Sequence, residues 1–197
     1  ASMRSALIPA RDGLNLVAYY TLPVSSDSND HGIPDQPLPL VLMPHGGPWG
    51  RDFWGYNPWH QWLANRGYAV LSVNFRASTG LGKAFTNAGD HEWGGKIIED
   101  QIDAVQWMVA QGIAAADQVA ILGGSFGGYS VLAGLTFYPG DLCVWRRYCW
   151  PLQSHHAARI GAALLEADDR TLHDARGRSQ YRGRPPPVDA AFAADAC

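Results

Sequence analysis

The chain has 197 residues, a formal net charge of -3, and 47% hydrophobic residues. This length can bury a hydrophobic core, as one domain or as part of a larger one. The weak negative charge gives no reason to expect a nucleic-acid or membrane partner, and no apolar run reaches the roughly 18 residues of a membrane-spanning helix. Residues 1–4 lack the apolar stretch of a signal peptide, so we expect a cytoplasmic protein.

Two further observations concern the ends of the chain. The first residue is Ala1 rather than methionine, so we expect the chain to start inside a longer protein. The three cysteines (Cys143, Cys149 and Cys197) have no C-x-x-C spacing, and the histidines among them match no common ligand set. We therefore expect no disulfide framework, no metal site and no cofactor.

Apolar runs and turn residues predict strands that alternate with helices up to about residue 142. The predicted strands are residues 6–9, 14–22, 38–43, 69–75 and 119–122. The predicted helices are residues 58–65, 96–111 and the apolar segment after Ser125, with Asn57 and Pro58 as the start signal of the first. This alternation is typical of a parallel doubly wound sheet, with the aromatic residues in its core and cleft.

Three acidic residues lie in the first turns of the long predicted helix. Glu99, Asp100 and Asp103 are favourable near the positive end of a helix, so we interpret them as capping or solvated charges. The alternative is that they are catalytic carboxylates.

A nucleophile elbow is predicted where the last strand meets the last helix. The pentapeptide is Gly123-Gly124-Ser125-Phe126-Gly127, with an apolar run before it and a helical apolar pattern after it. The serine must adopt a strained conformation at the tip of the turn, and side chains at Gly123 and Gly127 would collide where strand and helix cross. The backbone N–H of Phe126 can then face a developing oxyanion.

A second matching element follows the strand at residues 38–43. The sequence Pro44-His45-Gly46-Gly47-Pro48 places a glycine pair directly after a central strand, which lets backbone N–H groups approach a ligand closely. We interpret His45 as a loop histidine that holds the turn by hydrogen bonds. The alternative is a catalytic base, but the hydrolase triad histidine follows the serine in chain order.

Four motifs in residues 5–142 together resemble the catalytic domain of the prolyl oligopeptidase family, on its acylaminoacyl-peptidase and dipeptidyl-peptidase side. They are His45-Gly46-Gly47-Pro48; residues 74–82 (NFRASTGLG), where Ala77 replaces the usual glycine; Trp93-Gly94 with Asp100; and residues 123–129 (GGSFGGY). The resemblance implies an α/β-hydrolase fold, of which this chain would carry the N-terminal, mostly parallel part of the sheet. Relatives carry a β-propeller ahead of this domain.

The resemblance also implies a serine peptidase that cleaves short peptides through an acyl-enzyme on Ser125. The backbone N–H groups of Gly47 and Phe126 would form the oxyanion hole. An esterase of the same fold is one alternative, and a non-catalytic fragment is another.

The chain changes character after residue 142. Residues 143–197 hold every cysteine, eight arginines and no lysine, and they resemble nothing in the family. Shifting the codons of this segment by one base permits a family-like continuation, so we expect an out-of-frame, irregular or disordered tail. Only 72 residues follow Ser125, too few to reach the family's triad aspartate and histidine, and His173, Asp168, Asp169 and Asp174 are interpreted as accidental. We therefore expect this chain to be inactive or very slow.

Overall fold

A sheet of five strands and four helices make up residues 1–138, the part of the chain described by a computed structural model. The strands are β1 (Met3–Pro9), β2 (Asn15–Thr21), β3 (Leu38–Leu42), β4 (Ala69–Asn74) and β5 (Ala114–Ile121). The helices are α1 (Pro58–Ala64), α2 (Lys83–Asn87), α3 (Lys96–Ala110) and α4 (Phe126–Phe137). The predicted tail at residues 143–197 lies outside the described residues.

The strands pair in the order β1-β2-β4-β3-β5. The hairpin of β1 and β2 is antiparallel and joins β4 antiparallel, whereas β4, β3 and β5 run parallel to one another. Because the carboxyl ends of parallel strands meet at one edge of a sheet, the loops after β3, β4 and β5 are brought together there. These loops contain the glycine pair, the residue 74–82 motif and Ser125.

The predicted elements are confirmed within one or a few residues, with two differences. β5 begins five residues before the predicted apolar run, because the pairing with β3 continues through a register shift to Ala114. The short helix α2 carries no long apolar periodicity and was not predicted. None of the helices in residues 1–138 is long and apolar enough to cross a membrane.

Helix α3 is buried along more than the predicted stripe. Ile98, Ile102 and Val105 are buried as predicted, while Val109 is only partly covered. Ile97 and Met108 are buried as well. The wider buried surface arises because α3 packs against the sheet and also meets α4.

The prediction that the aromatic residues lie in the core and cleft is wrong for Trp54, Trp59 and Trp62. Helix α1 buries a single stripe of His60, Leu63 and Ala64. A helix of seven residues can cover little more than one such stripe, so Trp59 and Trp62 lie on its outer side, edge to face at 6.0 Å. Trp49 and Trp54, in the loop before this helix, are 58% and 66% exposed.

Candidate active site

Ser125 lies on a left-handed turn between β5 and α4. Its backbone has φ 57° and ψ -123°, a conformation that residues with a Cβ rarely adopt. The side chain is exposed, and within residues 1–138 its hydroxyl makes no hydrogen bond with another side chain. The turn therefore presents a free hydroxyl at the carboxyl edge of the sheet.

The two glycines of the motif allow strand and helix to cross closely. A Cβ on Gly123 would lie 2.5 Å from the carbonyl carbon of Gly127, and a Cβ on Gly127 would overlap the carbonyl oxygen of Pro44. By contrast, a Cβ on Gly124 would meet nothing within 4 Å. The predicted reason for glycine at positions 123 and 127 is confirmed.

The glycine pair after β3 lies against Ser125. A Cβ built on Gly46 would be 3.6 Å from the Cβ of Ser125 and 3.9 Å from its Oγ. Gly47 has φ 136°, and a Cβ there would lie 2.5 Å from the backbone nitrogen of Trp49. Phe126 is the first residue of α4, so its N–H has no acceptor within the helix. The structure therefore places Ser125 against Gly46, the residue before Gly47, and directly before Phe126 at the start of α4.

The loop at residues 44–57 is held in place by β4 and by the segment that follows it. The backbone N–H of Asp52 donates to Oδ1 of Asn74 at 2.7 Å, and the Asn74 amide donates to the Asp52 carbonyl oxygen at 3.3 Å. The N–H of Thr79 donates to the Gly50 carbonyl oxygen at 2.9 Å. The residue 74–82 motif thus fixes the loop that carries the glycine pair.

The same segment is anchored to α3 by a buried ion pair. Arg76 contacts Asp100 through three hydrogen bonds of 2.6–2.8 Å, one of them from its backbone N–H, and it also binds Asp12 at 2.9 Å. Burial alone would lower the pKa of Arg76, but the hydrogen bonds to Asp100 and Asp12 outweigh it and raise the pKa. The guanidinium therefore stays charged inside the protein.

The interpretation of Asp100 as a capping or solvated charge is wrong. Its side chain is 1% exposed and bound to Arg76, since α3 turns this position toward the β4 segment. Neither a capping charge nor a catalytic carboxylate describes this buried ion pair. The sequence did not reveal the pair because Arg76 lies 24 residues before Asp100 in the chain. Arg11 pairs with both Asp103 and Glu99, whose side chains are 9% and 28% exposed, so only Glu99 keeps much contact with solvent.

The departure from the family motif at Ala77 falls on a left-handed residue. Ala77 has φ 79° and is fully buried, and a Cβ on Gly89 would overlap its methyl group. A glycine adopts this conformation without strain, which accounts for its usual presence in the motif. Here the alanine methyl is accommodated because residue 89 is itself a glycine.

Aromatic rings line the base of the site and reach its rim. Phe75 contacts Phe126 with ring centres 5.6 Å apart, and Phe126 contacts Trp93 at 5.1 Å. Trp93 in turn meets the exposed Trp49 at 5.9 Å. Phe126 therefore places its N–H beside Ser125 while its ring is fixed from both sides.

A buried polar network lies beneath the loop. His60 is fully buried, with Nδ1 3.0 Å from Thr21 Oγ1 and Nε2 2.9 Å from Ser72 Oγ. The Ser72 hydroxyl also lies 3.3 Å from the Met43 carbonyl oxygen, at the start of the loop. Burial lowers the pKa of His60 to about 4. Burial also raises the pKa of Asp52 to about 6, and a hydrogen bond from the Ser72 hydroxyl offsets only part of this second shift.

These two groups are expected to give opposite pH dependences of stability. Folded Asp52 holds its proton between about pH 4 and 6, so its contribution to stability is lost as the pH rises through that range. Folded His60 excludes the proton that the unfolded chain binds, so its contribution is lost as the pH falls from about 6.5 to about 4. The two effects largely cancel in the native chain.

Replacing Asp52 with asparagine should therefore uncover the effect of His60. We expect Asp52→Asn to lose about 2–3 kcal/mol of unfolding free energy between pH 7 and pH 4, and the unsubstituted chain to lose much less. Urea titrations at half-unit pH steps measure both profiles. Parallel profiles would show that Asp52 does not titrate in this range.

Among residues 1–138, no group of three histidine, cysteine or acidic side chains is placed to hold a metal ion. No described histidine contacts the Ser125 hydroxyl either. His45 instead contacts the Gly46 carbonyl oxygen and Ser78, which confirms the interpretation of a loop histidine. The predicted accidental residues Asp168, Asp169, His173 and Asp174 lie outside the described residues.

The strand, the left-handed serine turn and the helix, at the carboxyl edge of a doubly wound sheet, define the α/β-hydrolase class. Residues 54–141 match the sequence profile of the prolyl oligopeptidase family. The chain belongs to this family of peptidases.

Relatives and solved structures agree with this assignment. The chain is 64% identical over 132 residues to dipeptidyl aminopeptidase BIII of Pseudoxanthomonas mexicana, a match that covers 67% of this chain and 19% of that protein. It is 45% identical over 144 residues to dipeptidyl peptidase family member 6 of Caenorhabditis elegans, covering 66% of this chain and 20% of that protein. A puromycin-hydrolysing peptidase of Mycobacterium tuberculosis superposes with a TM-score of 0.60 at 33% identity, covering 66% of this chain and 20% of the other. The chain thus spans about a fifth of the length of the relatives it matches.

Proposed function

We propose that Ser125 is the nucleophile of a serine peptidase and that the N–H groups of Gly47 and Phe126 are its oxyanion donors. The observation that carries the proposal is the position of Ser125. This serine is exposed and strained, directly precedes helix α4, and lies against Gly46. Strain at such a position persists only where the surrounding structure fixes it, and it is common at active sites.

The reaction is an acyl transfer. The Ser125 oxygen attacks the carbonyl carbon of a peptide, the carbon–nitrogen bond breaks, and the amine leaves with a proton. Water then attacks the ester, which releases the acid and returns a proton to the serine oxygen. Negative charge develops on the carbonyl oxygen in both steps, and two backbone N–H groups would stabilise it.

Short peptides are the proposed substrates. Both curated relatives carry dipeptidyl peptidase names, which supports a peptide rather than an ester as the substrate class. The exposed Trp49 at the rim, in contact with Trp93, offers apolar surface to a substrate side chain.

We propose further that this chain by itself reacts slowly. Among residues 1–138 no histidine contacts the Ser125 hydroxyl, and a serine without a general base has the low reactivity of an ordinary alcohol. An oxyanion hole without the rest of a triad leaves a rate about 10³–10⁴ above the reaction in water. The expected activity is therefore small, and only the part that passes through an acyl-enzyme depends on Ser125.

Covalent labelling tests the nucleophile. Incubation with a fluorophosphonate, followed by intact-mass measurement, should show slow addition to the native chain and none to Ser125→Ala. Dipeptidyl anilides and nitrophenyl esters should then be compared as substrates. Anilide cleavage lost in Ser125→Ala supports a peptidase, and ester cleavage alone supports an esterase. Identical traces for both chains, together with no labelling of Ser125, support a non-catalytic fragment.

A further inference from the structure

A histidine connects the glycine loop with the segment after β4. His45 Nδ1 lies 2.8 Å from the carbonyl oxygen of Gly46, and Nε2 lies 2.9 Å from Oγ of the fully buried Ser78. The ring also stacks on Phe75, with centres 4.2 Å apart and planes 17° from parallel. Both ring nitrogens and one face of this imidazole are therefore engaged by the protein.

The contacts define which nitrogen carries the proton. The Gly46 carbonyl oxygen can only accept a hydrogen bond, so Nδ1 must be the donor. Burial lowers the pKa of His45, so the ring is neutral near pH 7 and Nε2 is the acceptor. The Ser78 hydroxyl has one proton, which it can donate either to Nε2 or to the Phe75 carbonyl oxygen 2.6 Å away.

We propose that His45 is a positioning residue that aims the N–H of Gly47 at the oxyanion by holding the carbonyl oxygen of Gly46. The inference rests on the proposed function, because the orientation of the Gly47 N–H matters only if this group is an oxyanion donor. The carbonyl of Gly46 and the N–H of Gly47 belong to one planar trans peptide and point in opposite directions. When His45 holds the Gly46 carbonyl on the imidazole side, the Gly47 N–H therefore points to the opposite side.

The need for such a device follows from the two glycines. A Gly-Gly segment has the largest conformational freedom in a chain, so its peptide can rotate unless something outside it binds the carbonyl. The stack of His45 on Phe75, and the tilted contact of Phe75 with Phe126, further tie this loop to the residue that supplies the other proposed donor. One side chain thereby sets the relation between the two N–H groups.

His45 does not act as the base in this arrangement. Its Nδ1 proton is given to Gly46 and its Nε2 lone pair is directed at Ser78, so neither nitrogen is left to accept a proton from Ser125. Its effect on the reaction passes entirely through the Gly46–Gly47 peptide.

Two substitutions separate positioning from packing. His45→Asn places an amide nitrogen near the Nδ1 position and keeps a donor for Gly46, but it loses the ring stack. His45→Phe keeps the stack on Phe75 and loses the donor. His31→Phe, at an exposed loop histidine, is the matched control.

The labelling rate of Ser125 by the fluorophosphonate is the first readout, because the phosphoryl oxygen occupies the oxyanion position. We expect His45→Phe to slow labelling by about 10-fold or more, given that loss of one oxyanion donor costs about 10²–10³ in rate. His45→Asn should stay within about 3-fold of the native chain, and His31→Phe should match it. The proposal is overturned if His45→Phe labels as fast as the native chain. It is also overturned if the labelling rates of the variants follow their thermal stability and not the presence of a hydrogen-bond donor to Gly46.

Nuclear magnetic resonance supplies a readout that does not depend on activity. We expect the native His45 ring to carry its proton on Nδ1, and we expect the Gly47 amide signal to be retained in His45→Asn but shifted in His45→Phe. A native ring protonated on Nε2 alone overturns the proposal. If the native chain and Ser125→Ala label identically, the proposed function fails, and the Gly47 signal alone then decides the positioning role.

Discussion

Replacing Asp100 with alanine is expected to lower the free energy of unfolding by about 3–5 kcal/mol, because the Arg76 guanidinium would remain buried without its principal partner. The side chains of Arg76 and Asp100 are 4% and 1% exposed, so water cannot replace the lost carboxylate. The backbone N–H of Arg76 would lose its acceptor as well. Urea denaturation at pH 7 measures the loss.

Glu99→Ala is the matched control for this substitution. It lies on the same helix and also pairs with an arginine, but its side chain is 28% exposed and that of Arg11 is 45% exposed. The expected cost is at most about 1 kcal/mol, as for surface pairs in general. Equal losses for the two variants would contradict the claim that burial of the charge makes the difference.

A double replacement separates the buried charge from the lost contacts. In Arg76→Met with Asp100→Leu no charge is left in the interior, so we expect this variant to be more stable than Asp100→Ala. A double variant as unstable as the single one would show that the hydrogen bonds to the backbone dominate.

The second large effect is expected at the crossing of strand and helix. Gly127→Ala should destabilise the chain by about 3 kcal/mol, the upper part of the range for overpacking, because the new methyl overlaps the carbonyl oxygen of Pro44. A backbone atom at the end of β3 cannot rotate away as a side chain could. Differential scanning calorimetry and urea denaturation both measure the change.

Two neighbouring glycines calibrate the result. Gly123→Ala should destabilise the chain comparably, since its Cβ meets the backbone of Gly127, whereas Gly124→Ala should stay within about 0.5 kcal/mol of the native chain. If Gly124→Ala were as destabilising as Gly127→Ala, the lost stability would come from replacing any glycine of this turn and not from the close crossing of strand and helix.

Local signals in the sequence were sufficient to predict the elbow and most of the elements. The apolar run before Gly123, the two glycines around Ser125 and the Asn57-Pro58 start signal each act over a few residues. Short-range sterics decide such features, so the chain order alone reveals them. The role of His45 in the loop was predicted for a related reason, since chain order argued against a catalytic histidine before the serine.

Partners distant in sequence could not be predicted in this way. The Arg76–Asp100 pair, the Asn74 clamp on Asp52 and the His60 network each join residues from different elements. Residues 74–82 were recognised as a motif, but their task of holding the glycine loop became visible only in three dimensions. The exposed tryptophans of α1 were mispredicted because burial depends on which side of a helix meets the sheet.

The sequence by itself therefore determined the strand–turn–helix around Ser125, the glycine loop and the order of the elements, because each is set by steric and hydrogen-bond preferences of adjacent residues. Only the tertiary structure decided what fixes these pieces to one another. Parallel pairing of β4, β3 and β5 brings three distant loops to one edge, and the contacts of Arg76, Asn74 and His45 then hold them there. A desolvated charge or amide is stable only beside its partner, and that partner is supplied by the fold rather than by the neighbouring sequence.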